Sequence, residues 1–150
     1  MKFELGLFDE TYGDPKLVKK VVRNAEKVVL AKKVADESAV LLENRNDILP
    51  LDLNKYKSVA VVGPNSNQAV LGDYAWTMGD TKEAVSLLQG LQESAGDKIM
   101  IRHAEGCDWW SQDKSHIAEA VEVVRNSDIA VVAVGTRSTY LGRSPKSVSY

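Results

Sequence analysis

Four carboxylates, Asp73, Asp80, Glu105 and Asp108, and three tryptophans, Trp76, Trp109 and Trp110, fall in polar stretches that each follow a short apolar run. Glycoside hydrolysis uses two carboxyl groups about 5–10 Å apart, one as acid and one as base or nucleophile. Aromatic rings beside Asp or Asn side chains also suit a sugar or another flat polyhydroxylated ligand. Tyr74, Tyr140 and Tyr150 share these stretches, whereas Tyr12 and Tyr56 lie elsewhere. Residue types alone favour a plainer account, in which the aromatics cap a sheet edge or an interface and the Trp109-Trp110 pair seals a core. Asp80 is better explained as a helix cap. Asp108, next to Trp109, is at best a hydrogen-bonding candidate for a ligand.

Two other chemistries fail on detail. The turn Gly63-Pro64-Asn65 follows an apolar run as a nucleotide loop would, but it has one glycine and no lysine placed for a phosphate. Pro64 also removes a backbone donor. His103, His116 and Cys107 match no zinc spacing, and helical periodicity turns His116 outward. The sequence predicts neither a metal nor a cofactor.

The elements that position these residues alternate. Pro15 to about Asn44 carries apolar residues at i, i+3/i+4 spacing and predicts one long helix, with Asp14-Pro15 at its start. Asn44–Asp47 reads as a turn, and the residue before Pro50 is steered away from helix. Ser58–Val62 is apolar throughout and predicts a strand covered on both faces. Asp80-Thr81-Lys82-Glu83 has the form of a capping box, ahead of a helix face made by Ala84, Leu87/Leu88 and Leu91 and a stop at Gly96. Lys98–Arg102 predicts a second strand, Ile117–Val124 a helix, and Ile129–Val134 a third strand ending at Gly135. Helices alternating with short apolar strands favour parallel βαβ units with right-handed crossovers. The three strand ends then gather the loops 63–80, 103–113 and 136–150 on one edge. Three strands is few for such a sheet, and the sequence reads as an incomplete α/β domain, with residues 1–14 as a lead-in and 15–150 as the partial domain.

Composition bounds the remainder. With 150 residues, 44% hydrophobic and 27% charged, the chain is the size of one ordinary globular domain. A net charge of −2 gives no reason to expect nucleic acid or an anionic membrane. One cysteine excludes an internal disulfide. No apolar run approaches the roughly 18 residues of a membrane span, and the N-terminus does not read as a signal peptide.

Several segments in order resemble the second domain of glycoside hydrolase family 3, the β-glucosidases and their relatives. Ala35–Asn44 followed by Ile48-Leu49-Pro50-Leu51 is similar to the family's "A-x-E-S-x-V-L-L-K-N … L-L-P-L". Ser58–Val62, Gly63-Pro64-Asn65 and Leu71-Gly72-Asp73-Tyr74 resemble "V-A-V-I-G-P-N … L-G-D-Y". Gly106-Cys107, the Ile117–Val121 helix and the strand Asp128–Gly135 also match the family's pattern, and Lys2–Asp9 resembles the segment that leaves a preceding barrel. The resemblance spans nearly the whole chain.

It implies a parallel-sheet three-layer α/β sandwich that follows a (β/α)₈ barrel in a retaining, exo-acting β-glycosidase. The nucleophile would be an aspartate of the barrel. The acid/base would be a glutamate on a second-domain loop in a Gly-Glu-Gly-like motif, and residues 136–150 contain no glutamate. The resemblance therefore assigns neither catalytic carboxylate to this chain, and predicts that the chain alone is inactive. It does imply substrate contact, through Trp76 or Tyr74 on the loop 71–77, with Asp73 and Asp108 as secondary contacts. Ala75-Trp76-Thr77, similar to a Gly-Trp-Thr of some plant relatives, favours Trp76. The partners implied are a β-linked glucoside or oligosaccharide and the barrel, with an open sheet edge free to self-associate. Relatives are often secreted or periplasmic. A non-catalytic module binding a carbohydrate or another protein is the alternative from a different class.

Overall fold

The computed structural model describes residues 1–9, 13–52, 54–69, 84–109 and 112–135. The chain divides into two compact units, Met1–Ile48 and Leu49–Tyr150.

In the first unit the helical pattern is broken where one helix was expected. Asp14 accepts from the Lys16 amide (2.9 Å) and caps a 3₁₀ turn, Pro15–Leu17, which leads into α1, Val18–Val21. Val22 then turns extended and Arg23 takes a positive φ of 55°. Asn24 restarts the chain as N-cap of α2, Ala25–Ser38, its Oδ1 accepting from the Lys27 amide at 3.0 Å. The apolar spacing runs through this point unaltered, but an asparagine side chain offers the backbone a cap in place of a continuing helical turn. The helix also stops at Ser38, not near Asn44. Ser38 Oγ donates to the Ala35 carbonyl (2.8 Å) and Ala39 is already extended. The ion pairs Lys32–Asp36 and Lys33–Glu37 lie one turn apart on α2, at 2.6 and 3.7 Å, with all four side chains well exposed.

The second unit holds a three-stranded sheet. Its strands are β1, Ser58–Val62, β2, Met100–Ala104, and β3, Ile129–Val132, in the order β2-β1-β3 and all parallel. β1 is central. Val59 pairs with Ile101 on one side and Ile129 on the other, and the register runs on to Val62 opposite Ala104 and Val132. Val59, Ala60, Val61 and Val62 are all buried, as an apolar strand covered on both faces should be.

Among the described residues each crossover carries one α-helix, α3, Leu87–Ala95, between β1 and β2 and α4, Ile117–Arg125, between β2 and β3. The first moves outward from β1 and the second moves back past it. Right-handed connections in opposite directions place the two helices on opposite faces, giving three layers. Leu88, Leu91 and Ala95 of α3 pack with Val59, Val61 and Ile99, and Ile101, Ile129 and Val131 extend this core.

Element boundaries differ from the predicted ones in three places. α3 is capped by Ser86, whose Oγ accepts from the Gln89 amide at 3.1 Å, so the Asp80–Glu83 box does not start it. Asp80 itself lies outside the described residues. Gly96, at φ +53°, ends the helix as expected and begins a 3₁₀ turn, Gly96–Lys98, that delays β2 by two residues. His103 therefore sits in the strand and not in the loop after it. β3 closes at Val132, two residues early. A carboxylate ties the opposite end of the sheet. Asp128 Oδ2 accepts from the amides of Lys57 and Ser58 (2.8 and 2.9 Å) and from Ser58 Oγ (3.1 Å).

Candidate functional site

Parallel strands whose first crossovers run in opposite directions leave a crevice at the carboxyl ends of the strands, beside the first strand. Here that position is occupied by the turn after β1. Gly63 has φ +108°, and a Cβ there would collide with the carbonyl oxygen of Ala133 just beyond β3, so only glycine lets the two chains approach this closely. The Gly63 amide donates to Glu105 O (3.1 Å), and the Asn65 amide donates to Ala133 O (3.2 Å). One turn thus ties together the ends of all three strands.

Ser66 locks the turn from inside. It is fully buried, and both its amide (3.1 Å) and its Oγ (2.6 Å) approach Gly63 O. Its Oγ also lies 2.8 Å from His103 Nε2. A carbonyl oxygen only accepts, so the hydroxyl proton points at Gly63 and Nε2 must carry the proton shared with Ser66. The pair is therefore not a nucleophile with its base, which would require the serine proton to face the imidazole. It is a brace between β2 and the turn.

The same turn is tied to the residues that lead into α3. Ser66 O accepts from the Leu88 amide (2.9 Å), and Ser86 Oγ donates to Asn67 Oδ1 (3.3 Å). The chain leaves the sheet edge near Asn67 and returns to the same place at Ser86. Asp73, Tyr74 and Trp76, between those anchors, lie outside the described residues, as do Trp110, Tyr140 and Tyr150.

Trp109 and Asp108 are described. Trp109 is half-buried, and its indole N–H donates to Asn65 Oδ1, joining the loop after β2 to the turn after β1. Gly135 closes in on the same asparagine, since a Cβ there would lie 2.5 Å from Asn65 Nδ2. Asp108 lines an open depression of about 360 Å³ with Glu105, Gly106, Cys107, His116 and Glu119. The edge thus brings Asp108 and Glu105 to one concavity, as their shared loop implied. Three carboxylates in its lining suit hydroxyl donors and repel phosphate. Nearby, the Ser115 amide donates to Asp113 (2.8 Å), and the amide and hydroxyl of Ser115 together hold that carboxyl below its usual range, with His116 adding a smaller pull. Among the described residues no group of three His, Cys, Asp or Glu is arranged to hold a metal ion, and no helix is long and apolar enough to cross a membrane.

Sequence reasoning missed Asn65, Ser66 and His103 as a connected group. The Gly-Pro-Asn turn was visible, but nothing in spacing links Asn65 to Trp109, 44 residues on, or Ser66 to His103, 37 residues on.

Comparison with known proteins places this architecture. Residues 39–146 match the glycosyl hydrolase family 3 C-terminal domain. The chain is 36% identical to a β-xylosidase of Formosa agariphila, over 90% of this chain and 19% of that protein. It is 32% identical to the periplasmic β-glucosidase of Salmonella typhimurium, over 90% of this chain and 21% of that one. A β-glucosidase structure from Erythrobacter marinus superposes with a TM-score of 0.77 at 32% identity, covering 91% of this chain and 21% of its own. A Listeria innocua β-glucosidase in complex with isofagomine gives 0.72 at 26% identity, covering 91% and 18%. The chain thus spans about a fifth of the length of the curated relatives it matches. A parallel α/β sheet with its carboxyl edge braced around a Gly-Pro-Asn turn, matched over this length, makes the chain a member of glycosyl hydrolase family 3, corresponding to that family's C-terminal domain.

Proposed function

We propose that this domain forms one wall of the sugar-binding cleft of a retaining, exo-acting β-glycosidase, with a β-linked glucoside or xyloside as substrate. The catalytic carboxylates would come from a barrel domain and from a second-domain loop not found in these 150 residues. The observation that carries the reading is the bonding of Ser86 and Leu88 to Asn67 and Ser66 beside the turn at the carboxyl edge of the sheet, on either side in sequence of residues 70–83. Asp73, Tyr74 and Trp76 fall in sequence between those two anchors, and Asp108 lies at the same sheet edge. An aromatic ring stacked on the sugar, with carboxylates accepting from its hydroxyls, binds and orients the ring without supplying acid or base.

Two assays test it. The chain alone should release no nitrophenol from 4-nitrophenyl β-glucoside or β-xyloside. Placed in the Salmonella typhimurium periplasmic β-glucosidase in exchange for the matching segment, it should support hydrolysis. In that chimera Trp76→Ala should raise KM about tenfold, equivalent to about 1.4 kcal/mol, with a smaller change in kcat. Hydrolysis by the 150-residue chain itself, abolished by a single Asp or Glu substitution within it, would refute the division of labour. An unchanged KM in both Trp76→Ala and Tyr74→Ala would refute the wall.

A further inference from the structure

The brace at the sheet edge extends the reading just given and rests on it. We propose that His103, half-buried behind the edge, is a positioning residue that acts without contacting the ligand and sets the Trp109 ring as a fixed ledge for a β-linked pyranoside. The path is short, three hydrogen bonds joined through the backbone of the turn. His103 Nε2–H donates to Ser66 Oγ at 2.8 Å, and Ser66 Oγ–H donates to Gly63 O at 2.6 Å. This fixes the turn that presents Asn65, and Asn65 Oδ1 takes the Trp109 indole N–H. Each link leaves the next one direction to point, because Ser66 has a single proton and the carbonyl can only accept.

The consequence concerns the tryptophan. A half-buried ring whose N–H is already directed at Asn65 has its orientation chosen before any ligand arrives. Such a ring offers its face and carbon edge to a ligand, and Asp108, its neighbour in sequence, lines with Glu105 a depression at the same sheet edge. A polyhydroxylated ring, apolar on its face and rich in hydroxyl donors at its rim, fits that pairing. A fixed ring binds more tightly than one that must be ordered on contact.

The test uses the 150-residue chain labelled with 5-fluorotryptophan. Its three tryptophans give three ¹⁹F resonances, assigned by Trp→Phe at each position. His103→Ala should move the Trp109 resonance, and His103→Gln, which keeps an N–H donor near Ser66, should restore it. Asn65→Ala should move the same resonance, and adding His103→Ala to it should move it little further. Should His103→Ala fail to fold by circular dichroism, Ser66→Ala removes the same link from its other end with a smaller change of volume. Methyl β-glucopyranoside or β-xylopyranoside should shift the Trp109 resonance of the parent chain, with half-saturation about tenfold higher in His103→Ala. An unmoved Trp109 resonance in His103→Ala, or equal shifts in the Ala and Gln variants, overturns the brace. A Trp109 resonance indifferent to saturating glycoside overturns the ledge. Neither of these results touches the hydrolytic reading, which the chimera tests by turnover.

Discussion

Replacing Gly63 by alanine should be among the most damaging single-methyl changes in the chain. The residue sits at φ +108°, where any side chain other than hydrogen stores about 1–3 kcal/mol of backbone strain. The added Cβ also meets the Ala133 carbonyl, backbone just beyond the neighbouring strand and unable to rotate away as a side chain could. Relief requires parting β1 from β3 at their carboxyl ends. That stretches the bonds from the Asn65 amide to Ala133 O (3.2 Å) and from the Ala133 amide to Val62 O (2.7 Å). Each contributes about 1 kcal/mol net, so the total loss should be about 3–5 kcal/mol. For a unit of about 100 residues that lowers Tm by at least about 12 °C. Gly96→Ala is the matched control. It has a positive φ of 53° but no atom within 4 Å of the added carbon, so it should lose the strain term alone, about 1–3 kcal/mol. Urea and thermal unfolding of both variants, followed by far-ultraviolet circular dichroism, would compare them. Equal losses for Gly63→Ala and Gly96→Ala would refute the claim that close strand approach, and not φ alone, demands glycine after β1.

Two further changes separate caps from clamps. Ser86→Ala removes the hydroxyl that accepts from the Gln89 amide and donates to Asn67 Oδ1, and should cost about 1–2 kcal/mol in urea unfolding, with Ser86→Asp recovering the cap but not the bond to Asn67. Hydrogen bonds from the Lys57 and Ser58 amides, then from Ser58 Oγ, hold the Asp128 carboxyl below its usual range. The stabilisation is therefore present above the unfolded-state value near pH 4 and is lost as pH falls through the lower folded-state value. The urea midpoint of the parent chain should drop on acidification below about pH 4, more steeply than that of Asp128→Asn.

What the sequence made legible follows from where the deciding interactions lie. β1 was readable to the residue, because its apolar β-branched run is bounded by Ser58 and by Gly63-Pro64 and every signal is local. α4 was equally clear from Ile117, Ala120/Val121 and Val124. The start of α3 was misplaced although Ser86-Leu87-Leu88-Gln89 has capping-box form, since Asp80-Thr81-Lys82-Glu83 offers the same pattern earlier. The break before Asn24 was hidden because apolar spacing does not register a side chain that caps from within. At the edge, aromatic and acidic residues could be assigned to loops, but the brace from His103 to Trp109 runs through the turn at residues 63–66, whose Ser66 lies 37 residues before His103. Only the fold brings them together.

The strand order also governs how the protein comes into being. β1 is made first, yet both of its partners follow its connecting segments, and Ser58 meets Asp128 across 70 residues. At translation rates of about 5–20 residues per second, roughly 4–14 s separate the two ends of that contact. Until Met100–Ala104 is made the apolar Val-Ala-Val-Val strand has no partner, and until Ile129–Val132 follows it keeps one open edge, the state in which nascent chains meet each other edge to edge. The topology that makes this strand central in the finished sheet is therefore the one that keeps it exposed longest on the ribosome.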